Sequence, residues 1–245
     1  MSAPKKWILL RGLARGKGHW GSFTTRLQEH FPNDQFELLD LPGNGERNKV
    51  TSPISIGDYV HDLRRQSQFV KDGEPFHLLA ISLGAMVAAE WMHEFPHEVC
   101  KAHLICTSSS DLSPFYHRYQ LRNLIPSLGL SLEKDPAQWE SVVLKMTTNS
   151  QARREEELPG MVEYSKQHPE FRLNVIRQLV AASRFSFPKD LPGDVNLIGS
   201  FGDRLVSPAC TLKLAERWGI KARMHPWSGH DIPIDDPQWL LEHLL

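Results

Sequence analysis

Cysteine is scarce in this chain. Three occur among 245 residues, Cys100, Cys106 and Cys210. An odd count without metal-ligand spacing argues against a disulfide framework and a structural zinc site, and for free thiols in a reducing compartment. An excess of either charge is also missing. Lys and Arg total 28 against 29 Asp and Glu, a formal net charge of -1. Without surplus positive charge there is no bulk means of releasing counterions from nucleic acid. Long apolar runs are absent too. The basic start is followed by Trp7-Ile-Leu-Leu10 and then Arg11. That is too short for a secretion signal and far short of the roughly 20 residues that cross a bilayer. No internal repeat is visible. These absences predict a cytoplasmic protein with no nucleic-acid partner and no stable membrane anchoring. The 40% hydrophobic and 23% charged residues are those of an ordinary globular domain.

What is present is a rhythm. Short apolar segments at Lys6 to Leu10, Gln35 to Leu39, Phe76 to Ile81, Ala102 to Cys106, Val195 to Ile198 and Ala222 to His225 read as strands. Helical patterns fall between them, around Thr24 to His30, Ile56 to Val70, Ala85 to Glu94 and Ala209 to Trp218. Such alternation predicts an α/β fold, a parallel sheet covered on both faces, with reactive loops at the carboxyl ends of its strands. Between Ser108 and Lys189 the rhythm stops. Helix-like pieces near Tyr116 to Leu124, Pro136 to Met146, Gln151 to Gln167 and Glu170 to Arg184 are punctuated by prolines, among them Pro126 and Pro159, which kink or break a helix interior. The reading is a core of residues 1–107 and 190–245, with a helical cap, or lid, inserted at 108–189.

Two motifs mislead. Gly16-Lys-Gly18-His19-Trp20-Gly21 matches G-x-G-x-x-G, with Asp40 ending the next strand. In a dinucleotide site the turn follows the strand at once, whereas Arg11 to Arg15 intervene here. A flexible glycine loop over a pocket is the simpler reading. His93-Glu-Phe-Pro96-His97 is a literal H-E-x-x-H. Zinc needs both histidines on one intact helix face, and Pro96 breaks it. No metal is expected.

The informative segment is Phe76-His-Leu-Leu-Ala80-Ile-Ser82-Leu83-Gly84. A buried strand runs into a serine and a helix follows at once. Ala80 and Gly84, two residues to either side, are small enough to admit a sharp strand–turn–helix, the nucleophile elbow. The Leu83 N–H at the helix start then serves a developing oxyanion. A helix-capping serine is the plainer alternative. A serine nucleophile needs a base. His230, in Trp227-Ser-Gly-His-Asp, follows the last strand and is the candidate among twelve histidines, with His19 as the rival by position. Asp203, past the fifth strand, is the acid, and Asp111, past the fourth, a second candidate. The order Ser82, Asp203, His230 is the one this fold uses. Gly12 after the first strand lets Leu13 supply a second oxyanion N–H.

These pieces, with Leu39-Asp40-Leu-Pro42-Gly43-Asn44-Gly45, resemble the α/β-hydrolase superfamily over essentially the whole chain. Size and cap placement are similar to small carboxylesterases such as the pimeloyl-carrier-protein methyl ester esterases. The resemblance implies Ser82, Asp203 and His230 as triad, Leu83 and Leu13 as oxyanion hole, and no cofactor. There are departures. Arg11 and Asn44 stand where the superfamily commonly has His, and Ala80 where the elbow has Gly. The usual N-terminal antiparallel hairpin is missing, which predicts about six strands, mostly or all parallel. The expected reaction is hydrolysis of a small or medium ester. Alternatives are thioester hydrolysis or a C–C hydrolase or lyase on the same triad, a non-catalytic binding protein of the same fold, and a dinucleotide-dependent oxidoreductase. Arg11, Arg15 and Lys17, with Trp20, are candidate substrate contacts. If so, they favour a carboxylate-bearing or carrier-linked acyl substrate; solvated surface charge is the other reading.

Overall fold

The computed structural model describes residues 4–244, apart from the side chain of Ser131. Met1 to Ala3, part of the basic start, and Leu245 lie outside the described residues. Six strands form one sheet: β1 Lys6–Leu10, β2 Gln35–Leu39, β3 Phe76–Ile81, β4 Val99–Ile105, β5 Val195–Ser200 and β6 Arg223–His225. All neighbours are parallel, in the order β2-β1-β3-β4-β5-β6, as the sequence predicts. The order reverses between β1 and β3, which opens a crevice at their carboxyl ends. Leu10 lies opposite Ala80 in register, so Gly12 and Ser82 leave the sheet side by side.

Alternate residues of each strand serve opposite faces. Ile8, Leu10, Leu78, Ala80, Leu104 and Leu197 pack with α2 Ile56–Gln66, α3 Gln68–Lys71 and α4 Leu83–Glu94. Trp7, Leu9, Leu79, Ile81, Ile105 and Ile198 pack on the other side with Phe23 and Leu27 of α1, Phe23–His30, and with Leu240 and Leu241 at the C-terminus. Each such side chain removed from water contributes about 1.5–3 kcal/mol. Both faces are therefore closed, and the loops at the strand ends are left for chemistry.

Five helices lie between β4 and β5: α5 Phe115–Arg118, α6 Leu124–Leu132, α7 Pro136–Thr147, α8 Gln151–Gln167 and α9 Arg172–Arg184. After β5 come α10 Pro208–Trp218, α11 Ile232–Asp235 and α12 Pro237–Glu242. Two expectations need correction, while the helix expected over Gln151 to Gln167 is present with the same bounds. The helix expected over Ile56 to Val70 is broken at Ser67, whose hydroxyl instead accepts the Val70 N–H and caps α3. The helix expected over Tyr116 to Leu124 is interrupted: α5 stops at Arg118, the Gln120 N–H donates to the Leu205 carbonyl instead, and a single tight turn at Leu121–Asn123 leads into α6, whose first turn takes Pro126 without losing a helical bond. Pro159 lies inside α8 without ending it; the freed carbonyl at Glu155 is on the exposed side. Among the described residues no helix is long and apolar enough to cross a membrane.

Candidate active site

Among the described residues, three non-glycine residues have positive φ: Ala14 at 52°, Ser82 at 58° and Cys106 at 47°. Each such conformation costs of order 1–3 kcal/mol and persists where the surroundings enforce it. All three follow the carboxyl ends of β1, β3 and β4, so backbone strain gathers at one end of the sheet. At Ser82 the enforcement is visible. Its N–H donates to the Ile105 carbonyl at 2.8 Å, and its carbonyl accepts from Ala85 N, Met86 N and the Thr107 hydroxyl. A Cβ on Gly84 would stand 2.5 Å from the Arg11 carbonyl, and one on Gly12 would stand 3.0 Å from Ser82 Cβ. Glycine at both positions is what lets β1, the elbow and α4 converge. Leu83 is the first residue of α4, and its N–H therefore has no acceptor within the helix.

His230 and Asp203 are brought together. Asp203 Oδ2 accepts from His230 Nδ1 at 2.8 Å, and both residues are buried. The other carboxylate oxygen, Oδ1, accepts the N–H groups of Leu205 and Val206 at 2.8 and 2.9 Å, which fixes the acid at the β5 end. His230 Nε2 is buried and has no hydrogen-bond partner. With Nδ1–H held by the carboxylate, Nε2 presents a lone pair, the form of imidazole that takes a proton. The rival His19 is placed differently. Its Nδ1 accepts the Gly16 N–H, and its Nε2 donates to Ser165 Oγ, which donates in turn to Glu140. Burial, together with Arg15, lowers its pKa to about 4. It is a neutral structural group with both nitrogens occupied. Asp111 is likewise spent elsewhere, on Arg217 at 2.5 Å and on Ser109.

The basic loop is corrected most. Arg11 is buried, and its Nη1 and Nη2 bond the two oxygens of Asp231 at 3.0 and 2.6 Å, with Trp20 beneath the guanidinium at 4.9 Å. Arg15 bonds Glu140 at 2.5 Å and Met161 Sδ at 3.2 Å. Burial would raise the Glu140 carboxyl, but Arg15, His19 and Ser165 bring it down to about 2. Lys17, on the surface, pairs with Glu46 at 2.7 Å. Trp20 is fully buried against Phe23. The expected mouth of free cations is thus a set of neutralised pairs. Arg11, standing where His is common, joins the loop after β1 to the residue that follows His230.

Some groups escaped sequence reading. Asn44 donates to the carbonyls of Gly12 and Arg15, and Gln178 of α9 joins it there. Asp235 accepts from Gly229, Asn149 and Ser150, which ties the His230 loop to the insertion. Cys106 is buried, with its Sγ, an Asp203 oxygen and a His230 nitrogen all within 4.8 Å of one another. This is a possible ligand set for a soft metal, but burial and the neighbouring Asp203 push the thiol well above its ordinary pKa, and the acid and imidazole already bond each other. Among these, Asn44 is marked in the sequence as a departure from the resemblance; nothing local marks Gln178, Asp235 or Cys106 for the site.

The glycine loop is not a phosphate cradle. A Cβ on Gly18 would stand 2.3 Å from the Tyr164 ring, and one on Gly21 would overlap the Glu157 carboxylate. Its glycines let α8 dock, and the loop is packed rather than free. The H-E-x-x-H segment has its helix end at Glu94, with His93 and His97 exposed.

Residues 7–243 match the family model described as Alpha/beta hydrolase family. Among curated proteins, a 119-residue stretch is 29% identical to the monoacylglycerol lipase ABHD6 of Mus musculus, over 45% of this chain and 34% of that one. The match thus spans about a third of that relative's length. A hydrolase from Pseudomonas aeruginosa superposes with TM-score 0.74 at 14% identity, covering 100% of this chain and 90% of that one. An esterase from Exiguobacterium antarcticum gives 0.72 at 12%, covering 100% and 91%. At these identities the structural likeness is one of fold, and fold alone does not assign a reaction. The family match nevertheless runs through every strand of the sheet and the whole insertion, and on that ground the chain belongs to the alpha/beta hydrolase family.

Proposed function

We propose that the chain is a serine hydrolase that cleaves a carboxylic ester of a small or medium acyl substrate through an acyl-enzyme. The observation that carries this reading is the buried His230, with Nδ1 on Asp203 and Nε2 unpartnered, at the end of the sheet where Ser82 stands on its strained turn. His230 Nε2 takes the Ser82 hydroxyl proton as Oγ bonds the substrate carbonyl carbon. The resulting oxyanion rests on the N–H groups of Leu13 and Leu83. Collapse of the intermediate breaks the bond to the alkoxy group, which leaves as an alcohol with the proton from His230. Water, deprotonated by the same nitrogen, then attacks the acyl-serine; the acid departs and Ser82 recovers its proton.

The pairing of Arg11, Arg15 and Lys17 with internal or neighbouring acids supports a neutral ester over a carboxylate-bearing or carrier-linked one. The names of the relatives, a monoacylglycerol lipase and an esterase, support ester chemistry. The helices of 108–189 are read as a lid that shapes the acyl site. The cytoplasmic setting expected from the cysteine usage belongs to the same proposal.

A panel of p-nitrophenyl esters and acyl thioesters of graded chain length, run on wild type and Ser82→Ala, tests it. The expectation is ester turnover with a chain-length optimum, lowered by about a thousandfold or more in Ser82→Ala. Turnover of thioesters alone would move the leaving group to sulfur. Equal activity in the variant, or no turnover of either class, would remove the proposed reaction.

A further inference from the structure

The turn that carries Leu13 is held by side chains from two directions. Asn44, with no exposed surface, donates from Nδ2 to the carbonyls of Gly12 at 3.2 Å and Arg15 at 3.0 Å. The Gly12 carbonyl and the Leu13 N–H are opposite ends of one planar trans peptide unit, so fixing the first aims the second the other way. The next peptide is fixed as well. Gln178 of α9, also fully buried, accepts the Ala14 N–H at 2.9 Å. This bond helps hold Ala14 at its positive φ. The two amides then lock each other: Gln178 Nε2 donates to Asn44 Oδ1 at 2.6 Å and to Ser52 Oγ at 3.2 Å. Ser52 Oγ donates in turn to the Pro42 carbonyl. Their orientations follow from their partners, since carbonyls demand donors from Asn44 and an N–H demands an acceptor from Gln178.

We propose that Gln178, on the insertion, is a positioning residue for the oxyanion donor at Leu13, so that seating of α9 and assembly of the oxyanion hole are one event. This rests on the reading of Ser82 and Leu13 above. Asn44 sets the peptide that bears the donor, and Gln178 sets Asn44 and the peptide after it. A lid that lifts α9 releases the Ala14 N–H and turns the donor away. Substrate that seats the lid thereby completes the hole.

The test uses Gln178→Leu, which removes both functions of the amide. Gln178→Glu keeps an acceptor for Ala14, and Asn44→Asp keeps the shape but loses both donations. Each is assayed for kcat, KM, thermal midpoint and affinity for a trifluoromethyl ketone, whose serine-bound hemiketal oxyanion stands in for the tetrahedral intermediate. Gln178→Leu and Asn44→Asp are expected to lower kcat about 10- to 100-fold and weaken the ketone by the same factor. KM should stay within about twofold. Gln178→Glu should fall between wild type and Gln178→Leu. If Gln178→Leu does not fold, the other two variants carry the same prediction. A lowered thermal midpoint with kcat and ketone affinity unchanged would reduce Gln178 to a packing role and overturn the proposal. Ser82→Ala separates the layers. If Ser82→Ala is inactive while Gln178→Leu is unaffected, positioning alone fails; if Ser82→Ala retains turnover, the underlying reading fails.

Discussion

Arg11 shows where residue-level reading stops. Its cationic type is plain in the sequence, but its partner Asp231 is 220 positions away, and nothing local pairs them. The same holds for Arg15 and Glu140, and for Asn44 and Gln178, each contact bridging core and insertion. The strained turn at Ser82 and the meeting of Asp203 with His230 are legible because strand ends place these residues and the turn demands small neighbours. The buried Arg11–Asp231 pair makes a residue-scale prediction. Asp231→Asn leaves a buried guanidinium without its counter-charge and should lower stability by about 3–5 kcal/mol. Replacing both, as Arg11→Met with Asp231→Leu, should recover most of that loss. Urea unfolding of the single and double variants decides it; if the single variant has wild-type stability, the pair is not holding the two loops together.

At the scale of elements, β1, β2 and β3 lie where alternation and apolar runs predict them, because both faces of the sheet demand apolar side chains. Helix α9 is the instructive exception. A helical reading of Arg172–Arg184 would bury its apolar side chains, yet Leu173, Ile176 and Leu179 are exposed, and the buried residues are Asn174, Gln178 and Ala181. The polar face is inward because the surface it meets, the turns around Asn44 and Ser52, offers unpaired backbone groups rather than apolar ones. A hydrophobic period reports that a helix exists, and its docking partner decides which face is covered. The glycine loop teaches the converse: glycine spacing recorded the approach of α8, not of a phosphate. Gly18→Ala should therefore cost about 1–3 kcal/mol by overpacking against Tyr164. Adding Tyr164→Ala should make the two changes less than additive in a double-mutant cycle. Full additivity would mean the glycine is not there for α8.

For the whole molecule, a net charge of -1 conceals two acids, Glu140 and Glu170, whose carboxylate oxygens are buried and which titrate in opposite directions at the seam between insertion and core. Glu140 is held down to about 2 by Arg15 and its hydrogen bonds against burial. The folded state thus binds fewer protons than the unfolded one below the ordinary Glu range. The stability this gives is present at neutral pH and is lost as pH falls from about 4.5 toward 2. Glu170 runs the other way. Burial raises it to about 8, with Arg15 opposing. The folded state holds its proton longer, so stability falls as pH rises from about 4.5 to 8. Glu170→Gln should remove that decline, and thermal midpoints of the two proteins should diverge as pH rises from 5 to 8. Parallel curves would show that Glu170 titrates as an ordinary surface acid.

The proposed reaction, set at one end of a parallel sheet closed on both faces, converges on one atom, Ser82 Oγ. Rapid quenching of the enzyme with a p-nitrophenyl ester, followed by intact mass and peptide mapping, tests that claim most directly. The account predicts a transient mass increase of one acyl group on the peptide bearing Ser82 in the wild-type enzyme, absent in Ser82→Ala and in His230→Ala, which lacks the base for forming the acyl-serine as well as for clearing it. Steady turnover with no adduct at Ser82, or with an adduct on another residue, would contradict it.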